Sequence, residues 1–177
     1  IIRSFTSEVI DILDDNNLVR ETGIRGDCVY GIYTTPLKAN TYEVFLLTAT
    51  VNTLMGMLNK LLAKKGYQQI KVGIGMSTDQ ELVVKAGRKN KTDLNSKIWI
   101  GDAVTKASNL SSIGNKNFVD SIVISESSYD NFIDELEKKN SGKNPKSWFT
   151  KVTDYNLGVY YHGNIIINDF NEWVKKL

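Results

Sequence analysis

The stretch from Ile98 to Gly114 constrains the fold of this chain more than any other. It opens with the strand formers Ile-Trp-Ile, and Gly101 directly after them permits a sharp turn. Asp102 is then a good helix N-cap, because its side-chain oxygen can accept from the open N–H groups of the first helical turn. Apolar residues recur at helical spacing at Val104, Ala107 and Leu110. The pattern predicts a strand, a tight turn and a helix that packs on a sheet, with Gly114 as a left-handed C-cap.

The rest of the chain alternates helix and strand patterns irregularly. Helices are predicted over 1–13, 42–64, 102–113, 127–139 and 170–177, and strands over 18–24, 28–33, 69–76, 81–87, 98–100, 118–125, 148–152 and 157–168. A tight turn joins the first two strands, and 81–87 is interpreted as the hairpin partner of 69–76. Antiparallel hairpins set among helices in this way predict an α+β fold.

Composition favours one globular domain over residues 1–177, because 41% hydrophobic content supports a sizeable core. A formal net charge of +2 gives no broad basic field, so nucleic acid is not an expected partner. Cys28 is the single cysteine, which excludes an internal disulfide and fits a reducing compartment. No apolar run approaches the roughly 20 residues of a membrane span. We therefore expect a cytoplasmic domain that binds neither nucleic acid nor a membrane.

Few residues carry obvious chemistry. His162 is the only histidine, so a structural zinc site and a Ser-His-Asp triad are both unsupported. Asp27 is the sharpest candidate, since an aspartate at a glycine-flanked hairpin tip can approach phosphates closely and offers the hard oxygen that divalent cations prefer. Gly-Asp pairs also occur in turns for purely conformational reasons. Both interpretations stand at this point.

Two stretches carry a family resemblance. Residues 98–110 read Ile-Trp-Ile-Gly-Asp-Ala-Val-Thr-Lys-Ala-Ser-Asn-Leu, and residues 24–33 read Ile-Arg-Gly-Asp-Cys-Val-Tyr-Gly-Ile-Tyr. In this order they resemble the two signatures of class III nucleotide cyclase domains. The resemblance implies a mixed, mainly antiparallel sheet flanked by helices, and a head-to-tail homodimer whose sites lie at the interface.

By the same resemblance, Asp27 is implied as a ligand of Mn²⁺ or Mg²⁺. Such ions hold the triphosphate and lower the pKa of the attacking 3′-hydroxyl. The family's other metal aspartate precedes the first helix, and no residue here fills that place. We expect it on an N-terminal strand missing from these 177 residues, or else a catalytically incomplete domain.

The base-reading positions of purine cyclases fall here on Gly23 and Ile98. Neither side chain can hydrogen-bond a purine edge, and an unpaired polar edge lowers affinity. The pocket is therefore interpreted as one for a pyrimidine nucleoside triphosphate, unless the alignment slips by one residue. Tyr30 or Tyr33 could contact a base, although hairpin aromatics more often pack.

Thr105 and Asn109 stand where cyclases usually carry Asn and Arg, which orient the ribose and stabilise the transition-state phosphate. Both can hydrogen-bond but neither is charged, and losing a transition-state donor typically costs about 10²–10³ in rate. The positive charge that the usual Arg provides could come from Lys106 or from the cluster Arg88, Lys89 and Lys91. The alternative interpretation is that these four residues lie on a solvated loop or helix face.

Trp99, the run Ser-Ser-Ile-Gly-Asn-Lys after the helix and the C-terminal Val-Tyr-Tyr-His-Gly-Asn are similar to Pycsar-type pyrimidine cyclases. That resemblance implies conversion of UTP or CTP to cyclic UMP or cyclic CMP in bacterial antiphage defence, and UTP is only weakly favoured. The alternative is a catalytically degenerate cyclase-like module that dimerises or binds nucleotide to regulate a partner.

Overall fold

A computed structural model describes residues 2–86 and 96–176. The elements in chain order are α1 (Ile2–Asp14), β1 (Val19–Arg25), β2 (Cys28–Tyr33), α2 (Lys38–Lys64), β3 (Ile74–Met76), β4 (Leu82–Ala86), β5 (Ser96–Ile100), α3 (Asp102–Ile113), β6 (Ile122–Ser125), α4 (Glu126–Lys139), the 3₁₀ turn Pro145–Trp148, β7 (Thr150–Asp154), β8 (Gly158–Gly163) and α5 (Asn168–Lys176). The predicted order of helices and strands is confirmed, with boundaries that shift by a few residues.

A four-stranded sheet in the order β3-β6-β8-β7 forms the centre of the domain. Strands β3 and β6 run parallel, and the other neighbours are antiparallel. Two separate hairpins, β1–β2 and β4–β5, complete the strand inventory of the described residues. The α+β architecture with a mixed, mainly antiparallel sheet is confirmed.

The pairing predicted for the segment 81–87 is wrong. Its described part, β4, pairs with β5, with Leu82 opposite Ile100. The predicted strand 69–76 is also too long, because only β3 is extended and its hydrogen-bonded neighbour is β6. Pairing depends on partners distant in the chain, so a strand pattern alone could not identify them.

The core lies between the sheet and helices α2 and α4. Phe45 of α2 stacks on Phe132 of α4 with ring centroids 4.2 Å apart, and both are fully buried. The three β6 residues Ile122, Val123 and Ile124 are also completely buried. A strand whose neighbours cover both faces reads as a continuous apolar run, as β6 does.

Helix α2 is long and apolar enough to cross a membrane by length and composition alone. The expectation that no apolar stretch approaches span length is therefore wrong for this helix. A core helix meets the same criterion, and Phe45, Ala49 and Leu54 of α2 are buried in the described structure.

Helix α3 lies directly on the edge of the sheet that β3 forms, because two glycines let the backbones touch. A methyl group at Gly75 would overlap the Ala107 carbonyl oxygen, and one at Gly73 would overlap the Ser111 carbonyl oxygen. Both oxygens belong to the backbone of α3, so a side chain at either glycine must push the helix away.

We expect Gly75→Ala to lower the free energy of unfolding by about 3 kcal/mol, the upper range for overpacking. Urea unfolding followed by circular dichroism measures the change. Gly56→Ala is the matched control, because Gly56 lies on an exposed part of α2 with no atom near the added methyl. Alanine there is expected to stabilise by about 0.5–1 kcal/mol. Equal midpoints for Gly75→Ala and the wild type would contradict this account of α3.

Candidate active site

The β1–β2 hairpin presents Asp27 at its tip. Gly26 has φ +64°, a left-handed conformation that glycine adopts freely, and the strands pair up to Arg25 and Cys28 on either side of the turn. Asp27 is exposed, and its carboxylate makes no hydrogen bond or ion pair within the described residues. The hairpin therefore offers a free carboxylate to solvent, as the turn pattern predicts.

A divalent cation fits Asp27 as one oxygen ligand, because the carboxylate is hard, exposed and uncommitted. Within residues 2–86 and 96–176, no group of three or more His, Cys, Asp and Glu side chains converges to complete a metal site. The carboxylate of Asp27 is thus chemically suited to bind a cation, and the described residues place no group of further ligands around it.

The two faces of the hairpin carry one tyrosine each. Tyr33 points toward α1 and donates to the Leu13 carbonyl oxygen at 2.7 Å, and burial raises the pKa of its phenol. Tyr30 lies on the other face, where it donates to Glu21 Oε1 at 2.9 Å. The hydrogen bond to Glu21 raises the pKa of the Tyr30 phenol, which therefore stays protonated at neutral pH.

The β4–β5 hairpin meets this second face through Trp99. The indole Nε1 donates to Glu21 Oε2 at 3.0 Å, and Lys97 Nζ donates to the Arg20 carbonyl oxygen at 2.8 Å. Because side chains alternate along a strand, Ile98 points to the opposite face of β5, where it is exposed. The structure therefore brings Trp99 rather than Ile98 against the Glu21 face of β1.

The turn before α3 is held by a carboxylate from a distant strand end. Glu81 Oε1 accepts from the Ala103 N–H at 2.6 Å, and a methyl at Gly101 would lie 2.6 Å from the Glu81 carboxyl group. Glu81 Oε2 is buried and has no hydrogen-bond partner among the described residues. A negative charge is favourable at this helix N-terminus. The Glu81 carboxylate therefore caps α3 in place of the N-cap residue Gly101, which has no side chain.

Two predictions about the ends of α3 are wrong. The N-cap residue is Gly101, and Asp102 is the first helical residue, since Glu81 already occupies the capping position. Gly114 has φ −61°, so it is no left-handed cap. Gly114 instead allows close packing, because a methyl group at this position would lie 2.7 Å from the Gly73 Cα atom.

Thr105 and Asn109 lie one helical turn apart on the exposed face of α3, as their spacing predicts. Neither residue forms a hydrogen bond or an ion pair with Asp27 within the described parts of the chain. Lys106 is half-buried on the same helix, and the alternative cations Arg88, Lys89 and Lys91 lie outside the described residues. The hairpin and the polar face of α3 are thus separate surfaces of one chain.

Sequence reasoning missed two carboxylates of this region. The strand alternation that places Glu21 on the face of Gly23 was a usable signal, because residues two apart share a face. No local signal identifies Glu81, because its helix partner lies 22 positions along the chain.

The structure combines a hairpin with an acidic tip, a second two-stranded arm and a helix seated on a mixed sheet. The crystal structure of the guanylyl cyclase Cya2 matches this fold with a TM-score of 0.66, covering 96% of this chain and 81% of that chain at 13% identity. At that identity the likeness establishes the fold. No family model matches the chain.

Two curated relatives carry the comparison further. The chain is 52% identical over 176 residues to a uridylate cyclase from Treponema porcinum, covering 99% of this chain and 58% of the relative. It is 24% identical over 180 residues to a uridylate cyclase from Gulbenkiania mobilis, covering 98% of this chain and 69% of that one. The chain shares the fold of a guanylyl cyclase and is similar along nearly its whole length to two uridylate cyclases, which confirms the predicted resemblance to nucleotide cyclase domains.

Proposed function

We propose that this chain is the catalytic domain of a pyrimidine nucleotide cyclase that converts UTP, or CTP, to the cyclic monophosphate and pyrophosphate. The observation that carries the proposal is 52% identity to a uridylate cyclase along nearly the whole chain. The chain spans 58% of that relative, so activity and substrate are part of the proposal. UTP is preferred over CTP because both curated relatives are uridylate cyclases.

The chain's own residues would divide the work as follows. Asp27 would hold Mn²⁺ or Mg²⁺, and the bound ion would neutralise the triphosphate and acidify the 3′-hydroxyl. Thr105 and Asn109, exposed on α3, would donate hydrogen bonds to ribose and phosphate. Gly23 of β1 would border the base together with Trp99 of β5, whose indole faces β1. Ile98 points to the other face of β5 and would therefore lie outside this base-binding face.

The proposed active unit is a homodimer. The face of the β4–β5 hairpin that points away from Glu21 pairs Leu82 with Ile100 and Val84 with Ile98, and all four apolar residues are exposed. Monomeric proteins rarely leave contiguous apolar patches uncovered. A second copy of this chain would cover the patch and bring α3 of one subunit to the hairpin tip of the other.

The proposed biological role is production of a second messenger in the cytoplasm for bacterial antiphage defence, without nucleic acid or membrane partners. Its support is the similarity of Trp99 and the C-terminal strand region to Pycsar-type cyclases. The alternative, a degenerate module that regulates a partner, is favoured by the uncharged Asn109 and by the lack of a group of three metal-ligating side chains within residues 2–86 and 96–176.

The substrate profile of the full-length protein tests the proposal. Incubation with Mn²⁺ and each of UTP, CTP, ATP and GTP is expected to give cyclic product with a pyrimidine nucleotide at least about tenfold faster than with a purine nucleotide. Mass spectrometry identifies the products. No cyclic product from any nucleotide would favour the regulatory alternative, and a purine as the best substrate would refute the pyrimidine proposal.

A further inference from the structure

The volume beside Gly23 is already filled by Tyr30. The two residues face each other across the β1–β2 hairpin, and a Cβ atom built on Gly23 would lie 2.7 Å from the Tyr30 hydroxyl oxygen and 2.8 Å from Cζ. The phenol therefore rests on the backbone of β1. Any side chain at this position would have to displace the ring.

Glu21 holds the phenol in that place. Its carboxylate accepts from Tyr30 at 2.9 Å through one oxygen and from Trp99 at 3.0 Å through the other. Hydrogen bonds to an ionised acceptor are about twice as strong as neutral ones. Tyr30 cannot swing away from Gly23 without losing this bond, and Trp99 fixes Glu21 from the neighbouring hairpin.

We infer that Tyr30 restricts the base pocket to a single-ring base, and that Glu21 and Trp99 are positioning residues that keep its ring over Gly23. The inference rests on the proposed function, in which Gly23 borders the base. A purine differs from a pyrimidine by a fused five-membered ring, and the phenol occupies space at this border that the larger base would need.

The same geometry determines whether the Tyr30 phenol can donate a hydrogen bond to a ligand or accept one from it. Because the Tyr30 O–H donates to Glu21, its oxygen can only accept from a ligand. The N3–H of uracil and the amino group of cytosine are both suitable donors. Removing the hydroxyl while keeping the ring therefore separates two effects, namely loss of an acceptor and loss of bulk.

The experiment measures kcat/KM of the full-length protein for UTP and ATP. Tyr30→Ala is expected to raise the ATP-to-UTP ratio by about tenfold or more, in the range that pocket size typically controls. Tyr30→Phe keeps the bulk, so the ratio should stay within about twofold while both rates fall by about threefold to tenfold. Glu21→Gln leaves one acceptor oxygen for two donors, the Tyr30 O–H and the Trp99 N–H, so it should loosen the ring and raise the ratio by about threefold.

Tyr33→Ala is the matched control on the opposite face of the same hairpin. Tyr33 covers Gly31 as Tyr30 covers Gly23, since a Cβ atom on Gly31 would lie 2.6 Å from the Tyr33 hydroxyl oxygen. This variant should lose thermal stability and keep the wild-type ratio, because Tyr33 faces α1.

The outcomes separate the inference from the proposed function. Wild-type turnover of UTP or CTP supports the function, and its absence refutes the function before any variant is compared. If the wild type is active but neither Tyr30→Ala nor Glu21→Gln changes the ratio, the inference is wrong and the function stands. Should Tyr30→Ala fail to fold, the Glu21→Gln ratio decides alone. A ratio that rises equally in Tyr33→Ala would also overturn the assignment to Tyr30.

Discussion

Replacing Asp27 by alanine in the full-length protein is expected to lower nucleotide cyclisation by about 10³-fold, because ion contacts supply several kcal/mol of transition-state stabilisation. Stability should change by no more than about 0.5 kcal/mol, since Asp27 is exposed and makes no hydrogen bond or ion pair among the described residues. The measurement is cyclic product formed with UTP across a Mn²⁺ titration, together with a thermal melt. Asp27→Asn keeps the size of the side chain and should be nearly as inactive, because an amide is a weaker cation ligand than a carboxylate.

The matched control is Asp130→Ala, which removes an exposed carboxylate from α4. It changes the net charge by the same amount and should leave turnover within about twofold of the wild type. If Asp27→Ala retains wild-type turnover, the hairpin aspartate has only a conformational role in its turn, and the proposed metal ligand is wrong. Loss of activity accompanied by unfolding would also contradict the account, because nothing in the described structure depends on this carboxylate.

Features that depend on neighbouring residues, such as the β1–β2 hairpin, were predicted from the sequence. Contacts between residues far apart in the chain were not. The Gly-Asp turn was placed correctly because a glycine with positive φ and an aspartate define a tight turn within a few residues. The pairing of β4 with β5 and the cap that Glu81 provides both depend on residues far apart in the chain. No periodicity or turn rule encodes those partners.

At the predicted base-reading strand, the motif identified the correct strand but not the side chain that faces β1. Aligning the strand before α3 with the cyclase signature selects Ile98, and the sequence left open a slip of one residue. In the structure that one residue decides the face, because Trp99 meets Glu21 and Ile98 points to solvent. The family pattern located the strand, but only the packing of the two hairpins shows which side chain each face presents.

Tyr30 and Tyr33 were equivalent in the sequence, as two aromatics of one strand. They separate in the structure because an odd spacing puts them on opposite faces of β2. One face packs on α1 and the other meets the β4–β5 hairpin. Which element covers each face depends on the tertiary arrangement of the chain and not on either tyrosine. The candidate site was thus predictable as a region, and its contacts were not.

Mixing two inactive variants is expected to restore activity if the site is shared between subunits. Asp27 belongs to the hairpin and Asn109 to α3, and no described contact joins these surfaces within one chain. In a closed two-fold dimer, each site would combine the hairpin of one subunit with α3 of the other. A heterodimer of Asp27→Ala and Asn109→Ala therefore contains one doubly altered site and one intact site.

Random pairing of equal amounts makes about half of the dimers heterodimers, so the mixture should recover about a quarter of wild-type turnover. Co-expression with two different affinity tags, followed by sequential purification, isolates the heterodimer and raises the expected value to about half. The control is the co-expressed pair Asp27→Ala with Asp27→Asn, in which every site lacks the carboxylate and no recovery is expected. Purified heterodimer with no more activity than either parent would show that Asp27 and Asn109 serve the same site from one chain, and the shared-site dimer would then be wrong.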